Sequence, residues 1–161
     1  MKKLLFLLLV AFSVITLPAF GGTKTIELEP RIGYTLNDVG AYSPNPGFEI
    51  GVAASFQIVK QFHIVPVLSY IRADEGFMGK ANYCMIPLYA SYRIPIKNVQ
   101  IDINAGPYGQ FSISNLCDFG AAAGIGAEYK QVRIGFHTYQ NFLHGQNPRF
   151  YGFSLGYRFA L

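Results

Sequence analysis

The chain has no tryptophan, only two cysteines, few charges and, past its N-terminus, no long apolar run. Each shortage excludes something. Charged residues are 14% of the sequence, against roughly 25% in soluble globular proteins. That is too few to clothe the water-exposed surface of a chain of 161 residues. Beyond the N-terminus nothing approaches the ~20 consecutive apolar residues of a membrane-spanning helix. Two cysteines exclude a disulfide-dense scaffold. The basic side chains are scattered, which removes nucleic acid as a partner; without Lys2 and Lys3 the formal charge falls from +4 to +2. Linkers, low-complexity tracts and a second domain are also missing.

What is present begins with an export signal. Lys2 and Lys3 precede the apolar run Leu4 to Phe12, and small residues follow Pro18 at Ala19, Gly21 and Gly22. This order of basic, apolar and small segments is that of a secretory signal peptide. Cleavage is expected after Gly21 or Gly22, giving a signal over 1–21 and one mature domain over 22–161.

That domain reads as eight strands. Side chains in a strand alternate between two faces. In the first segment Ile26, Leu28, Ile32, Tyr34 and Leu36 interleave with Glu27, Glu29, Arg31, Gly33 and Thr35. The same alternation recurs over 47–57, 61–72, 81–93, 99–112, 118–130, 132–139 and 151–161. Each segment is long enough, at ~9–11 residues or near it, for a tilted strand to cross hydrocarbon. Tight turns at 59–60, 95–98 and 130–131 alternate with longer Gly-, Pro- and Asn-rich connections, as in barrels with short turns on one side and loops on the other. The expected fold is all-β: an eight-stranded antiparallel up-and-down transmembrane β-barrel.

A soluble ligand-carrying barrel also has eight antiparallel strands, but its apolar face would line a cavity. Here the polar phase is crowded with glycines (among them Gly51, Gly126 and Gly152), which suits the filled interior of a small barrel. It also carries five acids, Glu27, Glu29, Glu49, Asp102 and Glu128, and five bases, Arg31, Arg93, Lys130, Arg133 and Arg158. Buried charges need partners, so these ten are expected to form a structural ion-pair network plugging the lumen. Cys84 and Cys117 fall in the apolar phase, about 10 Å apart at the usual strand spacing, which is beyond normal disulfide reach.

Catalytic chemistry finds little footing. His63 and His137 are inward and His144 is in a loop; either inward histidine could join Ser69 or Ser154 and an interior glutamate, but no nucleophile elbow accompanies them. Asp38 and Asp74–Glu75 fall in different loops without calcium-loop spacing. The glycine-rich stretch 120–126 lacks the Lys and the helix of a phosphate loop. No catalytic residue, metal or cofactor is expected, and the chain reads as not an enzyme. Tyr42, Phe77 and Met78 are apolar loop tips suited to a partner or to the membrane interface.

The segments "RIGYTLND", "PGFEIGVAASF", "PVLSYIR", "NYCMIPLYASYRI", "INAGPYGQF", "DFGAAAGIGAEY" and "GFSLGYRFAL" together resemble the PorT-like outer-membrane β-barrel family. The resemblance implies a small barrel in the outer membrane of a Gram-negative envelope, with membrane lipid and a secretion-system or envelope protein as partners. It supplies no catalytic residues. The expected role is structural or partner-binding, accessory to protein secretion or envelope assembly. A narrow pore for ions or small solutes is the alternative, and eight strands leave little room for one.

Overall fold

The computed structural model describes residues 25–38, 45–74, 79–112, 117–142 and 149–161. The strands are β1 Ile26–Asp38, β2 Asn45–Val59, β3 Phe62–Asp74, β4 Lys80–Ile96, β5 Val99–Ser112, β6 Cys117–Tyr129, β7 Val132–Asn141, β8 Arg149–Tyr157 and β9 Phe159–Ala160. The expected signal over 1–21 and the loop residues Tyr42, Glu75, Phe77, Met78 and His144 lie outside the described residues.

Every sequential pair from β1 to β8 is antiparallel, and β1 also pairs with β8 and β9, closing the barrel. Closure leaves no free edge, which is what allows a sheet to cross a bilayer with its backbone groups satisfied. The last strand differs from the continuous 151–161 segment expected. Arg158 drops out of the ladder, its N–H going to the Gln131 carbonyl at 2.8 Å, and its side chain turns into the lumen. β9 then resumes pairing with Leu28 and Glu27.

Period-two alternation survives on every strand. Ile32, Ile50, Ile103, Ile125, Ile134 and Leu155 are each at least half exposed, and they share the outward phase at mid-height. A continuous exposed apolar belt of this kind belongs against lipid tails, not water. Tyr34, Phe48, Phe119 and Phe153 flank it towards the loop end; Tyr92, Tyr129, Tyr157 and Phe159 flank it towards the short turns. Such aromatic girdles mark the two membrane interfaces.

Strand β3 blurs the pattern because Val65 and Val67 point inward alongside Ile71 and Ala73, Val67 being buried. Cys84 is half-buried and free. The backbone positions of Cys84 and Cys117 both face Phe111 on the intervening β5, two strand spacings apart.

Candidate functional site

The lumen concentrates the polar chemistry of the chain in three tiers. At the short-turn end, Arg93 from β4 donates to Glu27 Oε2 at 2.7 Å and to Ser55 Oγ at 2.6 Å. Beside it Arg158 reaches Glu29 through Nη2 at 2.9 Å and also pairs with Glu128. Arg158 keeps the inward phase of Ser154 and Gly156, since β8 and β9 pair with β1 in one register.

In the middle tier Arg133 from β7 grips Asp102 on β5. Nε and Nη2 donate to Oδ2 at 3.1 and 2.5 Å, while Nη1 reaches Glu29 at 3.4 Å. Asn104 adds a further donor to Asp102 at 2.9 Å. Glu29 therefore stands between Arg133 and Arg158 and ties the two tiers together. The glycines beside them make the space: a Cβ on Gly126 would sit 2.5 Å from Arg133 Nη2 and 2.6 Å from Asp102 Oδ1.

The third tier is centred on Glu49, which has no solvent exposure. Ser69 Oγ donates to Oε1 at 2.6 Å, and His137 Nε2 lies 2.7 Å from Oε2. Arg31 approaches Oε1 at 3.8 Å. A Cβ on Gly152 would fall 2.2 Å from His137 Nε2, so glycine there leaves room for the imidazole.

Above the charges, towards the loops, the lumen changes character. Tyr108 and Tyr139 pack edge to face at 5.3 Å, as do Tyr83 and Phe150, and Met85 and Ile71 fill between them. This aromatic stopper was only half visible beforehand. Tyr83, Tyr89 and Tyr139 fall in the inward phase as read; Tyr108 and Met85 continue the inward phases of β5 and β4, and Phe150 that of β8, one residue before the expected start of that strand. Among the ion pairs lies a cavity of about 20 Å³, lined by Tyr89, Arg93, Asp102, Arg133 and His137 among others. That is room for about one water.

Of the ten charged residues expected in the lumen, nine are there and ion-paired: Glu27, Glu29, Arg31, Glu49, Arg93, Asp102, Glu128, Arg133 and Arg158. Lys130 is not. It occupies the β6–β7 turn, exposed, with its ammonium 5.4 Å from the Tyr129 ring centroid. Strand β6 ends at Tyr129, so alternation no longer governs the next residue.

Chemically, the Glu49 tier holds the residue types of a hydrolase but in the wrong order. The serine gives its proton to Glu49, and the histidine sits on the other carboxylate oxygen. A serine nucleophile needs the histidine as its immediate base. Ser69, Glu49 and His137 are also buried. His63 lies towards the opposite end of the lumen.

No family model matches the chain, and no curated protein matches it, so the PorT-like resemblance finds no counterpart there. Solved structures share its fold. Neisserial surface protein A superposes with a TM-score of 0.71 at 11% identity, over 87% of this chain and all of the other. The outer-membrane enzyme PagL gives 0.56 at 14% identity, over 84% of this chain and 99% of its own. The Yersinia pestis outer-membrane protein Ail, in a phospholipid bilayer nanodisc, gives 0.51 at 17% identity, over 83% and 99%. All are small outer-membrane barrels. PagL corrects one expectation: a chain of this fold cannot be read as a non-enzyme, because an enzyme is built on the same barrel.

Proposed function

We propose that the chain is an outer-membrane protein of a Gram-negative envelope, acting as a structural or partner-binding barrel through its loops and rims, with its axis sealed. The filled lumen is the observation that carries this reading. Stacked ion pairs and the aromatic stopper occupy the described lumen, and the cavity among the ion pairs has room for about one water. The exposed apolar belt and the paired aromatic girdles support the membrane setting, as does the likeness to outer-membrane barrels. The sequence resemblance suggests the partner class, a secretion or envelope-assembly protein docking on the longer loops.

Conductance tests the sealed axis. Purified protein in planar bilayers is expected to pass negligible current or brief small flickers. A steady large conductance would overturn the reading. Co-purification from native membranes tests the partner half: a reproducible companion is expected, and its absence would count against a docking role.

A further inference from the structure

The three short turns repeat one pattern. Val59–Lys60–Gln61–Phe62–His63–Ile64 is matched by Ile96–Lys97–Asn98–Val99–Gln100–Ile101 and by Tyr129–Lys130–Gln131–Val132–Arg133–Ile134. In each, an apolar residue, a lysine and an amide residue are followed by an outward apolar residue, an inward polar one and an outward isoleucine. Phe62, Val99 and Val132 are exposed on the outer face at this rim. The lysine and the amide residue of all three turns are exposed.

Turn geometry does not call for these lysines. Lys97 and Lys130 adopt φ of 53° and 48°, in the left-handed region that hairpin turns normally give to Asn or Gly. Lysine at both positions is therefore held against local preference. Nor do the lysines serve the lumenal ion pairs. The carboxylates at this end of β1 and β6, Glu27 and Glu128, point inward and are held by Arg93 and Arg158.

The depth of the lysines is set by their neighbours. Tyr92 donates its hydroxyl to Gln61 Oε1 at 2.6 Å, and Tyr157 donates to Gln131 Oε1 at 2.5 Å. These tyrosines belong to the girdle whose rings sit in the interface with their hydroxyls at headgroup level. A lysine one residue from each of those glutamines stands at headgroup depth. The opposite end is mixed in sign along the backbone, where Asp38 stands opposite Arg149 and Asp74 opposite Lys80 in the register.

We propose that Lys60, Lys97 and Lys130 form a cationic ring on the short-turn rim that binds the headgroups of anionic phospholipids in the adjoining leaflet. The inference rests on the membrane setting proposed above. A lipid surface fits better than a protein partner because each lysine is seated among exposed apolar and aromatic side chains at its turn, around the rim and not on one patch.

The test uses tyrosine emission, which no tryptophan obscures. Full-length barrel is inserted into vesicles containing brominated phosphatidylglycerol or brominated phosphatidylcholine, and quenching by each is compared. Insertion is checked first by the faster gel migration of unheated protein, so a failed membrane reading is seen separately as a failure to insert. Wild-type protein is expected to favour the anionic lipid about twofold averaged over the lipid shell, given that a basic residue near an anionic surface contributes an attraction of about fivefold locally. The preference should vanish at about 1 M salt, where screening shortens to about 3 Å. It should also vanish in K60Q/K97N/K130N, whose asparagines suit the left-handed turns. Equal quenching of inserted wild-type protein by both lipids would overturn the proposal. So would a preference that the triple variant keeps.

Discussion

Arg133→Ala will cost the barrel about 3–5 kcal/mol of stability, the range for stranding the partner of a buried ion pair. Arg133 is buried and holds both Asp102 and Glu29. Removing it leaves the two carboxylates beside a cavity with room for about one water. Lys130→Ala, three residues earlier in the exposed turn, should change stability by no more than about 0.5 kcal/mol. Urea unfolding in lipid vesicles compares them. The double variant R133A/D102A should cost less than the sum of its singles, because removing both partners strands less charge. If Arg133→Ala and Lys130→Ala unfold at the same urea concentration, the interior charges do not stabilise the barrel.

Leu155→Arg is expected to cost about 2–4 kcal/mol, whereas Phe159→Arg should cost only about 0–1 kcal/mol, as depth in the bilayer dictates for lipid-facing positions. Both residues are outward and similarly exposed, at 51% and 46%, so burial cannot separate them. Leu155 lies opposite Ile32 and Ile134 at mid-belt; Phe159 lies at the short-turn rim. Similar costs at the two sites in vesicle unfolding would place both in one medium and contradict a belt in hydrocarbon.

Much of this architecture was legible because one rule, alternation, acts through all eight strands. Strand β5 runs over the same Val99–Ser112 that its pattern predicts. The inward Glu29, Glu49 and Asp102 follow from phase alone. The rule fails at Lys130, which lies one residue past the end of β6, whereas Arg158 keeps the inward phase of Gly152, Ser154 and Gly156 although the strand is interrupted there. Pairing within the lumen was also hidden, since Glu29 and Arg158 are 129 residues apart and meet only on closure. The aromatic stopper was obscured for a different reason. Tyr, Phe and Met suit a lipid-facing phase as readily as a packed interior, so their residue type does not announce which way Tyr108 or Phe150 points.

Solvent access tests both faces of the barrel in one measurement. Leu155→Cys and its neighbour Ser154→Cys are made singly in a background with Cys84 and Cys117 changed to alanine, with Lys130→Cys as the exposed control. Each protein is inserted into vesicles and treated with a membrane-impermeant, water-soluble maleimide. Lys130→Cys should label rapidly, while both of the others stay unlabelled until the barrel is denatured: one is shielded by lipid, the other by the sealed lumen. Rapid labelling of Leu155→Cys in the intact barrel would show that the apolar phase faces water, and rapid labelling of Ser154→Cys would show that the lumen is open.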